Sequence, residues 1–379
     1  MKKVLIFIDW FLPGYKAGGP IRSVANLTEQ LSDSFEFFII TRNTDYLETS
    51  PYPTVKSNQW QQIAPNINVY YFSKDKLSVK NIKSVIKKLN FDTVYINGIY
   101  SFYFSLLPVY LFKNSNKKIV IASRGMLSKH SFSSKKLKKK VFIGAAQIIN
   151  FYQNTFFHVT NIDEKNEIAD LKFKIKDFII APNLPPKFSG DKINRLKEKG
   201  TVKLISIARI SKEKGSIEAL KILNKNKFNG TILFDLYGSV YQKDYWNQCL
   251  QLIKKAPENI KISYKGVLDN TKIPETIKNY HFSFLPTLGE NFGHSILESM
   301  SFSCPVIISD KTPWRNLEKE KAGWDIPLNN AEKFAQTIQK CIDMEQNEYN
   351  EWSNGAYYYA KSFSENPELI EQSKKIFTI

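Results

Sequence analysis

With 379 residues, 42% of them hydrophobic, and only 16 glycines and 16 prolines, the chain is too long for one compact core and too apolar for disorder, so two folded domains are expected. Its formal net charge is +18 and uneven: residues 1–180 hold 26 basic against 13 acidic side chains (+13), and the other 199 hold 28 against 23 (+5). Three widely separated cysteines, Cys249, Cys304 and Cys341, with no companion histidines in ligand spacing, exclude a disulfide scaffold or a zinc module and point to a reducing compartment.

From Met1 the chain enters a short buried strand, Val4 to Asp9. Its apolar run is too short for the core of a signal peptide, and no small-residue cleavage site follows, which points to the cytosol or the cytosolic side of a membrane. Next come Phe11-Leu-Pro-Gly14 and Ala17-Gly18-Gly19-Pro20, a turn opening a helix from Ile21 to Leu31. Further strands are expected near Glu36, Asn68, Asp92, Lys118 and Phe156. No charge falls between Thr93 and Phe112, about the length of a membrane span. The polar Asn97, Ser101 and Ser105, with Gly98 and Pro108, make it instead a buried strand plus a helix. Asn97 lines a ligand cleft or caps a turn.

The fifth of these strands ends Ala122-Ser123-Arg124-Gly125-Met126-Leu127, with His130 five residues past the turn. Between Asp92 and Asp163 there is no acidic residue but ten basic ones, among them Lys135, Lys136, Lys138, Lys139 and Lys140, followed by an apolar and aromatic stretch to Phe157. Two readings stand: an anionic membrane surface attracting the lysines, or a solvated helix face. Nucleic acid is disfavoured, because no nucleic-acid module is present. Ala181-Pro-Asn-Leu-Pro-Pro186 and the charged run to Lys199 read as a linker. Strands then recur near Val202, Thr231, Lys261, His281 and Pro305. This alternation of apolar strands and helical stretches implies parallel sheets flanked by helices. His158 and His281, at strand edges, read as packing residues.

Two motifs carry chemistry. In Leu204-Ile-Ser-Ile-Ala-Arg209, an apolar strand ends on Arg209, and a helix begins near Lys214-Gly215. Arg209 and Lys214 are suited to a diphosphate, one as a planar fork and one as a point charge. In Glu290-Asn291-Phe292-Gly293-His294-Ser-Ile-Leu-Glu298, two carboxylates flank a Phe-Gly pair at the start of a helix. Amides at such a helix start suit an anion. Alone, the first motif reads equally as a solvated basic loop and the second as charges favouring a helix dipole. Together they describe a nucleotide-sugar site.

These two motifs, with the Gly18-Gly19 turn, resemble the GT-B fold, family-4 retaining glycosyltransferases, over residues 1 to about 360. The resemblance implies an α/β chain with two Rossmann-like, doubly wound parallel-sheet domains facing across a cleft. It places an acceptor-binding domain at 1–182, a linker at 183–200, a nucleotide-sugar domain at 201–360, and a C-terminal helix at 361–379 crossing back to the first domain. It also implies roles. Arg209 and Lys214 neutralise the diphosphate, and the amides of Gly18, Gly19 and the stretch Asn291 to His294 add donors. Glu290 holds hydroxyls of the transferred sugar and Glu298 those of the ribose, and the nucleobase lies near Gly266 and Val267. Many members carry a histidine at the end of the strand that here ends at Ala122. Its place falls to Arg124 or His130, as sugar contacts or as structural groups.

A Ser-Arg-Gly-Met-Leu run before a lysine-rich segment looks like a subgroup that builds bacterial surface polysaccharides such as capsule or lipopolysaccharide. The implied activity is transfer, with retention, from a nucleoside diphosphate sugar to a saccharide or lipid-linked acceptor, in the cytoplasm and peripheral on the membrane's inner face. No cofactor or metal is implied, and the chain has no Asp-x-Asp triplet. The alternative is a catalytically silent nucleotide-binding scaffold of the same architecture; an epimerase of this fold would need acid and base residues that the motifs lack.

Overall fold

A computed structural model describes residues 1–127, 136–188 and 192–378. The chain divides into two compact units, Met1–Lys187 with Asn366–Ile379, and Phe188–Glu365.

In the first unit β1 (Lys2–Ile8), β2 (Phe35–Arg42), β3 (Trp60–Ala64), β4 (Ile67–Phe72), β5 (Thr93–Asn97), β6 (Lys118–Ala122), β7 (Thr155–Val159) and β8 (Asp177–Ile180) form one sheet in the order β3-β4-β2-β1-β5-β6-β7-β8. Every described neighbour pair is parallel except the hairpin of β3 and β4. The central strands read as unbroken apolar runs because helices cover both faces, as parallel sheets require. Those helices are α1 (Gly19–Leu31), α2 (Val79–Lys87), α3 (Leu107–Phe112), α4 (Lys136–Ile148) and α5 (Ile162–Ala169). The uncharged stretch after Asp92 resolves into buried β5, a π-helical turn at Phe102–Leu106, and α3. No helix among the described residues is long and apolar enough to cross a membrane.

The second unit holds β9 (Thr201–Ile207), β10 (Thr231–Tyr237), β11 (Ile260–Tyr264), β12 (Phe282–Leu285), β13 (Val306–Ser309) and β14 (Gly323–Ile326), all parallel, in the order β11-β10-β9-β12-β13-β14. Around it lie α6 (Ser216–Lys225), α7 (Lys243–Lys254), α8 (Ile273–Ile277), α9 (His294–Ser301), α10 (Ala331–Asp343) and the long α11 (Gln346–Ser364). A stacked pair, Trp324 on Trp352 with centroids 3.9 Å apart, joins β14 to α11. The last helix, α12 (Pro367–Thr378), packs on the first unit. Phe377 sits 5.2 Å from Phe35, 5.8 Å from Phe37 and 5.7 Å from Tyr95, and Lys118 Nζ donates to the Ile376 carbonyl at 2.8 Å near the helix end.

Three strands escape the apolar pattern. β3 and β8 are short and largely open to solvent, and β14 begins on glycine and carries Asp325, whose carboxylate accepts from the Leu317 amide at 3.1 Å. The charged run before Lys199 is not simply solvated either. Arg195 and Lys197 are 6% and 4% exposed. Arg195 donates to the carbonyls of Ser303 (2.7 Å), Phe302 (2.6 Å) and Ile277 (3.4 Å), closing the ends of α8 and α9. Lys197 Nζ does the same for α10, at Ile342 (3.2 Å) and Met344 (3.0 Å). These bonds satisfy carbonyls left without partners at helix ends.

Replacing Arg195 by Met keeps the stem and strands those buried carbonyls. We predict a loss of about 3 kcal/mol from the second unit, the scale of an unsatisfied buried group bonded to a charge, read as a lower urea midpoint; an unchanged midpoint contradicts the capping role.

Candidate functional site

Chain order in the second sheet reverses between β9 and β12. The chain leaves β9 for β10 and β11 on one side and returns to β12 on the other. The segments following these two strands therefore part, leaving the crevice in which open α/β sheets bind ligands. Both sequence motifs lie here: Arg209 and Lys214 follow β9, and Glu290 follows β12.

The two loops are stitched together. Gly215 caps α6 in the left-handed region (φ 70°), and a Cβ there would stand 1.9 Å from the Pro286 carbonyl oxygen, so only glycine allows this approach. The Glu213 carbonyl accepts from the Thr287 hydroxyl at 2.7 Å and from the Leu288 amide at 2.9 Å. A third loop joins, because the Glu290 amide donates to the Lys311 carbonyl at 2.9 Å and the Ser309 hydroxyl to the Thr287 carbonyl at 2.5 Å.

This stitching brings Lys214 Nζ into an ion pair with Glu290 Oε1. Both side chains are mostly buried, at 19% and 10% exposure, so the pair is screened far less than a surface pair. Arg209 is exposed, and its guanidinium makes no hydrogen bond or ion pair among the described residues. Burial pushes the Glu213 carboxyl up, but bonds from its own amide and the Ser211 hydroxyl and, after these, the charges of Arg209 and Lys214 outweigh that, and the net shift is downward. Both cations thus lie within electrostatic reach of Glu213.

Downstream, Gly293 caps α9 in the left-handed region (φ 79°), and no side chain caps that first turn. The Gly293 carbonyl takes the amides of Ile296 (2.9 Å) and Leu297 (3.2 Å). A helix start of this kind turns its first-turn amides, that of Ser295 among them, toward an acceptor from outside the helix, which suits a phosphate. Phe292 is buried, its carbonyl fixed by the Trp314 indole N–H at 2.6 Å and its ring 4.6 Å from that of His294. Asn291 and Glu298 are half-buried, Glu298 on the second turn of α9. Gly266 and the exposed Val267 follow β11, where the Gly238 amide donates to the Gly266 carbonyl at 2.8 Å. Thr287, Ser309 and Trp314 hold the site's backbone, and sequence alone did not single them out, because the partners they hold lie 22 to 74 positions away.

In the first unit Gly18 caps α1 (φ 76°) without a side-chain cap. Its amide is used in the turn, donating to the Tyr15 carbonyl at 3.0 Å, whereas the Gly19 amide opens the helix with no acceptor within it. Asn97 and Arg124 come together. Arg124 Nε donates to Asn97 Oδ1 at 2.8 Å, Nη1 to Asn183 Oδ1, and Nη2 to the Tyr95 hydroxyl at 2.7 Å. The chain of bonds continues from Tyr95 to His158 Nδ1 (2.8 Å), and His158 Nε2 bonds the Ala181 carbonyl at 2.9 Å. With a carbonyl opposite Nε2, the proton sits there, and Tyr95 donates to Nδ1. Glu164 Oε1 underpins the loop, accepting from the Ser123 hydroxyl at 2.7 Å and the Gly125 amide at 3.1 Å. Both Asn97 and Arg124 thus have structural partners. His130 and Lys135 lie outside the described residues.

Burial, reinforced by the Arg124 charge, pushes His158 down to about 4. Burial likewise takes His281 to about 4, in a setting where its Nε2 bonds the Leu196 carbonyl at 3.0 Å. Both are hydrogen-bonded core groups rather than mere packing.

Residues 190–358 match the family described as glycosyl transferases group 1. No curated protein matches the sequence. Among solved structures, sucrose-phosphate synthase from Thermosynechococcus elongatus is similar over 100% of this chain and 98% of its own, with a TM-score of 0.72 at 14% identity. WaaG, a glycosyltransferase involved in lipopolysaccharide biosynthesis, is similar over 100% of both chains, with a TM-score of 0.62 at 11% identity. HepE from Anabaena, in a structure with UDP and glucose, covers 99% of this chain and 98% of its own, with a TM-score of 0.65 at 14% identity.

Because the folded pKa of each histidine is depressed below the ordinary value near 6.5, its stabilising effect is complete above that value and lost as pH falls toward 4. Urea unfolding between pH 7.5 and 4.5 is expected to show stability falling below pH 6.5, with a shallower fall in His158→Gln and His281→Gln; equal slopes in all three proteins contradict it. Residues 190–358 match the glycosyl transferases group 1, and the two parallel-sheet units of the chain have the fold of GT-B glycosyltransferases.

Proposed function

We propose that the chain is a retaining glycosyltransferase that takes a sugar from a nucleoside diphosphate sugar, without a metal ion, and passes it to a saccharide or lipid-linked acceptor in bacterial surface-polysaccharide synthesis. The observation that carries this reading is the pairing of Lys214 with Glu290 at the sheet's switch point, with Arg209 unpaired among the described residues beside it and the start of α9 following. Cations placed where the leaving diphosphate gains charge stabilise the transition state, the task a metal ion performs elsewhere. Glu290 holds hydroxyls of the transferred sugar, Glu298 those of the ribose, and Gly266 and Val267 border the base. The solved neighbours with UDP and glucose, or with a part in lipopolysaccharide synthesis, support the substrate classes.

The ion pair gives this reading a sharp consequence. A nucleotide sugar replaces both halves: the diphosphate takes Lys214 and sugar hydroxyls take Glu290. A bare nucleoside diphosphate takes Lys214 and leaves a mostly buried carboxylate without its cation, which is costly. In Glu290→Gln, affinity for the bare diphosphate is expected to rise about tenfold, or about 1.4 kcal/mol, while sugar transfer falls at least a hundredfold. Calorimetry and a nucleotide-release assay over UDP, GDP, ADP and CMP sugars check both. Transfer that survives the substitution contradicts the role of Glu290, and nucleotide binding without any turnover in the wild type favours the silent scaffold.

The acceptor side carries the basic charge. On α4 the residues Leu137, Val141 and Ile148 are 76%, 65% and 82% exposed, with Lys138 and Lys140 exposed beside them. Apolar side chains among lysines suit the face of an anionic bilayer, where each lysine adds about 1 kcal/mol. Replacing Lys135, Lys136, Lys138, Lys139 and Lys140 by Gln is expected to abolish sedimentation with vesicles rich in phosphatidylglycerol and to spare donor hydrolysis; binding that persists assigns the patch elsewhere.

A further inference from the structure

The first unit's sheet has a switch point of its own, and none of the roles assigned above falls on its first strand. β1 runs between β2 and β5, and the chain leaves β1 toward β2, reaching β5 only later. The segments after β1 and β5 therefore part and leave a crevice. Asp9 follows β1, and Ser101 lies four residues beyond β5.

Asp9 is a half-used carboxylate. The Ser101 hydroxyl donates to Oδ1 at 2.8 Å, and Arg42 donates to the same oxygen through Nη2 at 3.3 Å and Nε at 3.4 Å. No donor among the described residues reaches Oδ2, and the side chain keeps 18% of its surface open. Its backbone is tied as well, since its carbonyl accepts from the Thr41 hydroxyl at 3.2 Å and the Arg42 amide at 3.3 Å. Burial lifts the carboxyl above its usual range, with the Ser101 bond and the Arg42 charge pulling the other way.

Aromatic surface adjoins this group. Trp10 is half-buried, with its ring 4.8 Å edge-on from Tyr46 and the Arg42 guanidinium 5.9 Å from it. Phe102, next to Ser101, is 56% exposed. The chemistry narrows the ligand. The carboxylate disfavours an anion, Arg42 already neutralises it against a cation, and a purely apolar ligand would leave Oδ2 without a donor. A sugar offers hydroxyl donors around its rim and C–H faces for an aromatic ring.

We propose that Asp9, Trp10, Ser101 and Phe102 form a saccharide subsite at this crevice, with Asp9 Oδ2 accepting from a sugar hydroxyl and the aromatic side chains contacting its ring. The subsite rests on the reading of the chain as a glycosyltransferase, for which it holds the acceptor's sugar. Asp9 is a binding and positioning group here, fixed by Arg42 and Ser101.

Saturation-transfer NMR on the full chain, with glucose, galactose and N-acetylglucosamine as probes, tests it. At least one sugar is expected to receive saturation from the wild type, and the signal is expected to fall at least fivefold in Asp9→Asn. Ser101 and Arg42 are donors and hold the amide oxygen in the place of Oδ1, so the amide nitrogen faces the ligand where an acceptor is needed. The same fall is expected in Phe102→Ala, an exposed position that keeps the test decisive if Asp9→Asn does not fold. Glu290→Gln measures the share of signal that comes from sugar held at the donor site, and the fall in the first-unit variants is expected to exceed it. No signal with any sugar, wild-type signal in both first-unit variants, or loss confined to Glu290→Gln overturns the subsite. Thermal stabilisation of the same samples by nucleoside diphosphates keeps the two readings apart: its absence alongside an intact sugar signal sinks the glycosyltransferase reading and not the subsite.

Discussion

The close approach of two loops, where Gly215 lies against the Pro286 carbonyl, is the constraint on which the candidate site depends. β9 and β12 are neighbours in a parallel sheet, so their carboxyl ends fall side by side although about eighty residues separate them in sequence. A side chain at Gly215 would hold those ends apart. With glycine there, Thr287 and Leu288 reach the Glu213 carbonyl, and Lys214 meets Glu290. The energetic content lies in the pair. Two charges taken mostly out of water are stable only while each has a partner, so under the proposed function a ligand that satisfies both is favoured over one that satisfies half.

The same logic, charge placed against backbone that has lost water, recurs through the fold. Arg195 and Lys197 end helices in the second unit, and Lys118 ends one in the first. Glu164 takes donors from Ser123, Gly125 and Thr160, and Arg124 spreads its donors over Asn97, Asn183 and Tyr95. Each satisfies groups that would be expensive to bury alone. A chain with +18 formal charge thereby turns part of its excess into scaffolding. Part of the remainder stands exposed on α4, beside apolar side chains.

Much of this could be read from the sequence, and the reasons are local. Apolar runs such as Val4 to Ile8 and Phe282 to Leu285 are buried strands because parallel sheets are covered on both faces, and each reads as a strand without its neighbours. Arg209, Lys214 and Glu290 stood out because each lies in a short segment between such a run and the start of the next helix. β3, β8 and β14 were not, since exposed or charged strands lack the pattern. The structural roles of Arg124 and His158 were hidden for another reason: their partners are supplied by strands and loops up to 63 residues away, and only the sheet order brings them together. Arg195 and Lys197 sit in a charged run that looks like solvent-facing linker, and nothing in their composition distinguishes a cap from a surface charge.

The central claim is that Arg209, Lys214 and the start of α9 hold a nucleoside diphosphate. Calorimetric titration of UDP, GDP, ADP and CDP into the wild type and Lys214→Ala, in buffer with EDTA, tests it most directly. One diphosphate is predicted to bind the wild type in preference to the others, with a loss of about tenfold or more in the variant, the scale of a charge-assisted bond. Binding by none of them, or equal affinity in the two proteins, would contradict the account and leave Lys214 and Glu290 as a structural ion pair.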